Sequence, residues 1–492
     1  MKSLMLSAMV LGVALVGCDY GDPRLPFPDS PADEQLGAPV GGGGAGEQPV
    51  NADAGAPDVA QAGDAGITAT GTIVEIARNS PDLELFMRAL DLSGMTAQLS
   101  DVTATVTVFA PNNAAFAAML TELGLSRGLE GMTVAQLQTI LRYHVISSRV
   151  SSADALTAAS QKTRLQALGG KIEPRVAHEE LELDKRARVL QADIQATNGV
   201  MHVIDHVLLP SITDVVSTTS TVSTFSDAVA MTDDASLEKV LDDDAQSLTV
   251  FAPSNRGFEK LFARLAPAGI SGLESFRSDQ LLPIAKYHVV QGKKLSTELT
   301  GSLTTLGGMA NAKRTETAVT IDKSKVSVSD IYCSNGVIQF VDGVLMPSIA
   351  DVIRTDARFQ ALSAAITAAD SEITTTRKVG DALDSSNSFT FFAPSNEAFS
   401  TFGSSPLGLV QLTNTLFFHA VPGSPLYAAR LAAFAMPTEV LTAIDKPLTI
   451  VPSQIRVTLI DGAGKRVLVT QTDLFAGNGV IHVIDQVLTP SP

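Results

Sequence analysis

One pattern occurs three times along the chain, and this repetition constrains the fold more than any other feature of the sequence. The block Thr-Val-Phe-Ala-Pro-Asn-Asn-Ala-Ala-Phe begins at Thr107, and similar blocks begin at Thr249 and Thr390, after steps of 142 and 141 residues. A period of roughly 20 to 50 residues is typical of a solenoid, whereas a period of about 140 residues is the size of a self-sufficient domain. The sequence therefore predicts three copies of one module, which favours multivalent contact over a single active site.

The first block predicts a strand, a proline turn and the start of a helix. Ser254 and Ser395 are natural N-cap residues in the second and third copies, and Asn112 takes that position in the first. The motif positions are Phe109, Pro111, Asn113 and Phe116; Phe251, Pro253, Asn255 and Phe258; and Phe392, Pro394, Asn396 and Phe399.

A second block follows each copy of the first and predicts a hairpin. It opens with Asn-Gly, the preferred pair for a tight turn, and continues as an alternating strand. We expect the asparagines to serve this turn and the glycines to adopt a positive φ. The residues concerned are Asn198 with Gly199, Asn335 with Gly336, and Asn478 with Gly479.

An amphipathic helix is predicted between the two blocks. Thr133 and Gln136 form a capping box at its start, and an apolar face follows at three-to-four spacing, comprising Val134, Leu137, Leu141 and His144. In the second copy Pro283 should delay or kink the helix. The histidine recurs as His288 and His419, and we interpret all three as buried residues that hydrogen-bond the neighbouring backbone rather than as catalytic groups.

Taken together, these blocks resemble the signature regions of fasciclin-like domains. The T-V-F-A-P-x-N-x-x-F block, a central aromatic-His step and the N-G-V-I-H-V-I-D block recur in that order in all three copies, over roughly residues 70–492. The second copy departs from the last block, with Gln339 where the others have His202 and His482. The resemblance implies an α+β fold, with a β-sheet wedge and packed helices, and a role in adhesion or matrix interaction outside the cell. It also links Tyr143-His144 to receptor binding in animal members, but the third copy has Phe418 in place of the tyrosine.

The amino terminus predicts secretion and a lipid anchor. The apolar run from Leu4 to Val16 is too short to span a bilayer and is typical of a signal-peptide core. It closes with Gly17 before Cys18, which resembles the bacterial lipoprotein signal, in which this cysteine is lipidated; an ordinary secretory signal is the alternative. A lipidated protein would be secreted across the inner membrane and held at the outer membrane, the cell surface or in the periplasm. Asp19 resembles an inner-membrane retention signal, so the membrane itself stays open.

The segment after Cys18 predicts a flexible linker. Residues 19–70 contain nine acidic residues and one basic residue and are rich in Gly, Ala and Pro, so they cannot bury enough apolar surface to fold. The whole chain carries a formal net charge of −17, which argues against nucleic acid as a partner. The predicted organisation is a signal peptide at 1–18, the linker at 19–70, module one at 71–210, module two at 211–347 and module three at 348–492.

The sequence contains no convincing catalytic or cofactor motif. His202 and His206 have a spacing that suits zinc, but the other two copies do not repeat it, so we expect no metal there. The acidic run Asp242 to Asp244 lacks the glycine and glutamate of a calcium-binding EF-hand and is interpreted as a solvated loop. Cys333 would be the one cysteine left after lipidation, and we expect it to be a buried apolar residue.

The function predicted from the sequence is adhesion without catalysis. Three modules held at a membrane by a lipid would bind a protein or polysaccharide of the envelope, the matrix or another cell. The alternative is a periplasmic ligand-binding or hydrolytic lipoprotein with a pocket in one diverged module. That pocket would lie around His202 and His206, or in module three, where only 27 residues separate Phe392 from His419, against 35 and 37 in the other copies. A spacer without any ligand is a third interpretation.

Overall fold

The computed structural model of the protein describes residues 71–371, 378–401, 408–453 and 456–491. The predicted signal peptide, the lipidation candidate Cys18 and the predicted linker lie outside these residues. All three modules belong to one compact unit, Thr68–Pro492. Each module begins with helices and ends with strands, which confirms the α+β class. Among the described residues, no helix has the length and apolar character needed to cross a membrane.

Module one begins with three helices and ends in a run of strands. In chain order its elements are α1 Ile73–Arg78, α2 Glu84–Ser93, α3 Thr96–Leu99, β1 Val106–Pro111, α4 Asn113–Glu122, α5 Val134–Tyr143, β2 Val145–Ile146, α6 Ser152–Gln161, β3 Leu165–Ala167, β4 Gly170–Ile172, β5 Pro174–Ala177, β6 Glu180–Leu183, β7 Ala187–Ala196 and β8 Gly199–Ile204.

Module two repeats this order. Its elements are α7 Ile212–Thr218, α8 Ser223–Ala230, α9 Ala235–Asp242, β9 Leu248–Pro253, α10 Asn255–Leu265, α11 Ser278–Tyr287, β10 Val289–Gln291, β11 Gly301–Thr305, β12 Gly308–Arg314, β13 Val319–Ile321, β14 Ser324–Cys333 and β15 Gly336–Val341.

Module three has the same plan with a shorter helix after its first block. Its elements are α12 Ile349–Thr355, α13 Gln360–Ser371, α14 Val379–Asp384, β16 Phe389–Pro394, α15 Asn396–Ser400, α16 Leu409–Phe418, β17 Ala420–Pro422, α17 Ala428–Ala432, β18 Thr438–Leu441, β19 Pro447–Val451, β20 Thr458–Ile460, β21 Arg466–Ala476 and β22 Gly479–Ile484.

The two sequence blocks of each module form adjacent parallel strands. β1 pairs with β8, β9 with β15 and β16 with β22, and the other strand pairs are antiparallel. Over the described residues the strand order is β2-β1-β8-β7-β6-β5 in module one and β17-β16-β22-β21-β20-β19-β18 in module three, and module two forms a closed barrel. Every residue of these six paired strands is buried, which explains why both blocks are nearly continuous apolar runs.

The helix signals in the sequence are largely confirmed. Asn112, Ser254 and Ser395 each accept a hydrogen bond from a backbone N–H in the first turn of the following helix. The capping box at the start of α5 is present. The predicted delay at Pro283 is wrong, because α11 contains ten residues with the proline inside, and packing of its buried face outweighs the lost hydrogen bond.

The apolar face predicted for α5 is only partly buried. Leu137, Leu141 and His144 are at most 2% exposed, whereas Val134 in the first turn is 52% exposed. Periodicity predicts which residues share a face, but it does not predict how far along a helix the core extends.

Modules one and two, and modules two and three, are joined without a spacer. Ser211 and Ser348 cap α7 and α12 through capping boxes, and each follows directly on the proline that ends the preceding module. The core of module two includes Phe475 of module three, whose ring centre lies 5.7 Å from that of Phe276. Neighbouring modules therefore share apolar surface.

Candidate functional site

The aromatic and histidine residues of the two blocks meet across the parallel strand pair. Phe109 faces His202, and their ring centres are 5.2 Å apart; Phe392 faces His482 at 5.5 Å. All four side chains are at most 1% exposed. These positions stabilise the module from within and present nothing to a partner.

His202 is held by two backbone groups. Its Nδ1 accepts a hydrogen bond from the Asp193 N–H at 3.2 Å, and its Nε2 donates to the Val150 carbonyl at 2.9 Å. Burial lowers the pKa of His202, so the ring is neutral at pH 7. Because both ring nitrogens are engaged, His202 would have to give up a buried hydrogen bond to bind zinc.

Gln339 replaces this histidine in module two and keeps the same pattern. Its Oε1 accepts from the Asp330 N–H at 3.0 Å, and its Nε2 donates to the Lys294 carbonyl at 3.3 Å. The amide thus reproduces one donor and one acceptor of a neutral imidazole. His206 Nδ1 instead forms a hydrogen bond with Oδ1 of its neighbour Asp205, at 2.8 Å. Within the described ranges, no group of three or more His, Cys, Asp or Glu residues is placed to hold a metal ion.

The recurring histidine at the end of α5, α11 and α16 has one geometry in all three modules. In module one, His144 Nδ1 donates to the Ile140 carbonyl at 2.8 Å, and Nε2 accepts from the Leu208 N–H at 3.0 Å. His288 and His419 make the same two bonds. Burial lowers the pKa of each ring to about 4. Each histidine therefore links the end of a helix to the loop after the last strand.

The tyrosine before that histidine is also buried. The hydroxyl of Tyr143 donates to the Lys171 carbonyl at 3.1 Å, and that of Tyr287 donates to the Met309 carbonyl at 2.9 Å. Both side chains are 3% exposed. In this chain the Tyr-His step forms internal contacts. Neither side chain is exposed for the receptor binding that the resemblance implied.

The asparagine of the second block does more than support the turn. In module two, Asn335 Oδ1 accepts from the N–H of Ile212 at the start of α7, and its Nδ2 donates to the Leu241 carbonyl in α9. Asn198 and Asn478 join the corresponding helices in the same way. This residue therefore clamps the first and third helices of each module to the hairpin.

The glycine after this asparagine is required by a close approach of two strands. Its φ is positive in all three copies, as expected. A Cβ atom on Gly199 would lie 1.9 Å from the Val106 carbonyl oxygen, and the equivalent distances at Gly336 and Gly479 are both 2.1 Å. A larger residue would push the parallel strands apart.

The asparagine of the first block is a second clamp. Asn113 accepts from the Leu85 N–H and donates to the Pro81 carbonyl, which ties the start of α4 to the start of α2. Asn255 and Asn396 do the same in their modules. Of the three block-end phenylalanines, Phe116 and Phe258 are buried and Phe399 is half-buried.

The direct succession of modules at Pro210 and Pro347 is evident in the sequence, but the side-chain contact between modules was not predicted, and it is the same at both junctions. Gln136 Nε2 donates to the Asp330 carbonyl at 2.9 Å, and Gln280 Nε2 donates to the Asp473 carbonyl at 2.6 Å. Each acceptor lies at a bulge in the strand before the hairpin, where its φ is 59°. In the sequence, the recurrence of Gln at the third helical position and of Asp before the hairpin could have indicated this contact.

A cavity of about 350 Å³ lies between modules one and two, away from His202 and from the shortened stretch of module three. Its lining is mainly charged and includes Tyr143, Arg164, Lys171, Asp184, Asp214 and Asp244. Burial raises the pKa of Asp184 to about 6 and also raises that of Asp214.

Comparisons with known proteins agree with this geometry. The model of the Fasciclin domain family matches residues 81–210, 223–347 and 359–490. Transforming growth factor-beta-induced protein ig-h3 of Sus scrofa is 27% identical over 316 residues, which cover 60% of this chain and 41% of that protein. The chain thus spans less than half the length of the pig protein.

One bacterial relative and one solved structure are also similar to this chain. Protein sll1483 of Synechocystis is 32% identical over 143 residues, which cover 28% of this chain and 73% of that protein. The solved structure is a FAS1 domain pair from the insect cell adhesion molecule Fasciclin I, with 19% identity and a TM-score of 0.28, covering 55% of this chain and 97% of the other.

Proposed function

The chain belongs to the fasciclin domain family, and on this premise we propose that it is a lipid-anchored adhesion protein of the cell envelope or cell surface. Its three modules would bind a protein or a polysaccharide of the envelope, the matrix or another cell without catalysing a reaction. Fasciclin domains are known in cell-adhesion and matrix proteins. Three weak sites on one chain gain about 10²–10⁴ in avidity when the partner is also repetitive.

The observation that carries the proposal is that the recurring polar side chains already form hydrogen bonds within their own modules. The repeated histidines bond the backbone through both ring nitrogens, and the repeated asparagines clamp helices. None of these side chains is free to act as a nucleophile or a general base, which needs an accessible group beside the substrate. Binding is thereby left to the exposed faces, which differ in sequence among the modules.

A binding experiment with residues 68–492 tests this proposal. The protein is immobilised and exposed to envelope extract of the producing organism, untreated, protease-treated or glycosidase-treated. We expect specific retention of material that one of the two treatments removes. No retention above that of an unrelated acidic protein would contradict adhesion.

His202→Gln separates adhesion from the hydrolytic alternative. Because Gln339 occupies the same position in module two, the variant should fold and bind envelope material as the wild type does. A metal-dependent hydrolytic activity that the wild type has and the variant loses would instead support an enzyme.

The lipid anchor is part of the proposal and has its own control. Acyl chains contribute about 0.8 kcal/mol per buried methylene, so a multiply acylated Cys18 would hold the protein at a membrane. Expressed from its own start, the wild type should enter the detergent phase and carry an acyl mass on Cys18, and Cys18→Ser should do neither. An unmodified, aqueous wild type would contradict the anchor.

A further inference from the structure

The contact that joins successive modules has two halves, and each half also occurs once without a partner among the described residues. The donor half is the first turn of the central helix, α5 or α11, and it docks on the strand bulge of the next module. Module three has a donor helix, α16, whose first turn no other described module covers. Module one has a bulge in β7 that no other described module covers.

The donor half is preserved in module three. Gln411 Oε1 accepts from the Gly408 N–H, as Gln136 and Gln280 accept from the residues three positions before them. Gln136 and Gln280 are 6% and 3% exposed under the next module, whereas Gln411 is exposed. Among the described residues, nothing accepts a hydrogen bond from Gln411 Nε2.

An apolar side chain lies beside Gln411. Val410 is 74% exposed, at the position where Ala135 of module one packs against the core of module two. In α11 the equivalent residue is Asp279, whose carboxylate accepts a hydrogen bond from Gln471 of module three. This turn is thus covered at both internal junctions, whereas in α16 no other described module covers it.

The acceptor half is preserved in module one. Asp193 has a φ of 57°, against 59° at both equivalent bulges, and β7 shifts register at the same place. Ile194 is half-buried, whereas the equivalent residues Ile331 and Leu474 are 1% exposed in β14 and β21, the strands that α5 and α11 contact. The bulge has its docking conformation, and within the described part of the chain no other module covers it.

We propose that copies of this chain associate head to tail, with the first turn of α16 in one copy docked on the β7 bulge of the next. The proposed contact repeats an interface that the chain already contains, since every chain has both halves and the same pairing occurs twice within it. Such a contact is heterologous, so it continues from copy to copy instead of closing at a dimer.

One residue makes this contact weaker than the internal ones. Gln195 occupies the position of Tyr332 and Phe475, which are 5% and 2% exposed at the internal junctions. Its Nε2 donates to the Asp193 carbonyl at 3.3 Å, so docking has to displace this bond. Internal junctions also have the advantage of a high effective concentration, which separate copies lack.

Sedimentation velocity of residues 68–492 over a wide concentration range tests the proposal. We expect the sedimentation coefficient to rise with concentration without a plateau at the dimer. Gln411→Glu keeps the acceptor for the Gly408 N–H but replaces the Nε2 donor by a charged acceptor, so it should abolish this rise. Gln161→Glu, which makes the same change at another exposed helical glutamine, should leave it unchanged. Gln195→Tyr restores the aromatic residue of the internal junctions and should lower the dissociation constant by about tenfold or more.

Three results would overturn the proposal. The first is a wild type and a Gln195→Tyr variant that both stay monomeric while their circular dichroism shows intact folding. The second is association that survives Gln411→Glu, or that stops at a dimer. The third is a chain retaining residues 19–67 that stays monomeric while residues 68–492 associate, which would assign one of these faces to that segment instead.

Discussion

At the scale of single residues, two types of side chain, histidine and glutamine, satisfy the same pair of backbone groups. His202 and His482 each place a neutral ring between a bulge N–H and a loop carbonyl, and Gln339 does so with an amide. The sequence presented this difference as a departure from the motif. In the structure all three side chains accept from the bulge N–H and donate to the loop carbonyl, and Gln339 Nε2 also donates to Asp330 Oδ1 at 2.8 Å.

Protonation of a buried histidine should destabilise its module, so the contribution of His144 to stability should depend on pH. Its pKa is about 4 in the folded state and about 6.5 when unfolded, so between these values the unfolded chain binds more protons and stability falls as the pH falls. We expect the free energy of unfolding of the wild type, minus that of His144→Gln, to decrease by about 3 kcal/mol from pH 6.5 to pH 4. Urea denaturation at several pH values measures both proteins.

The subtraction removes opposing contributions from buried carboxyl groups. Asp184 and Asp214 have raised pKa values, so they bind protons in the folded state and favour folding as the pH falls. Both groups are present in the two proteins and cancel. A difference that is constant over this range would show that His144 does not titrate as its burial requires.

At the scale of helices and strands, the sequence predicted the elements well and their contacts less well. The caps at Asn112, Ser254 and Ser395 depend only on neighbouring residues and were identified correctly. The pairing of the two blocks as parallel strands was not predicted, because paired residues such as Thr107 and Val200 are 93 positions apart in the sequence. Local patterns carry no information on which distant strand is the neighbour.

The candidate site shows the same limit. The repeated asparagines were assigned to a turn, which is the local part of their role. Their bonds to the first and third helices, such as that from Asn335 Nδ2 to the Leu241 carbonyl, join residues 94 positions apart. Only the fold brings these groups together.

Removing the clamp in module two should cost more than a typical surface change. Asn335→Ala leaves the Ile212 N–H and the Leu241 carbonyl without partners in a buried place, and each unsatisfied group costs about 1–3 kcal/mol. We expect a loss of about 2–4 kcal/mol in chemical denaturation, with faster amide exchange in α7. The adjacent exposed Ser334→Ala should change stability by less than about 0.5 kcal/mol. Equal effects of the two changes would contradict the clamp.

At the scale of the whole molecule, the buried residues of each module cluster mainly within that module, but the core of module two also includes a residue of module three. Phe475 is part of the strand β21 in module three, yet it packs among buried residues of module two and contacts Phe276. Gln280 bonds across the same junction. A repeat count from sequence therefore predicts how many modules there are, but not how far their stabilities are coupled.

This coupling predicts that Phe475→Ala weakens two modules together. Loss of a buried phenylalanine typically costs about 3–5 kcal/mol, and the cavity would open at the junction. We expect amide exchange to accelerate in module two as well as in module three. Leu468→Ala on the same strand removes a side chain that is 36% exposed and should leave module two unchanged. Exchange that accelerates in module three alone would show that the modules are energetically independent.

The parallel pairing of an early strand with the last strand has a consequence during synthesis. In each module the early strand must wait for about ninety further residues before its neighbour is made, so an apolar segment stays unpaired while the chain emerges. A module becomes complete only at its final hairpin, and the next one begins directly afterwards. Folding during synthesis would therefore advance module by module, and a chain that stops short of a hairpin would leave an incomplete module with exposed apolar residues.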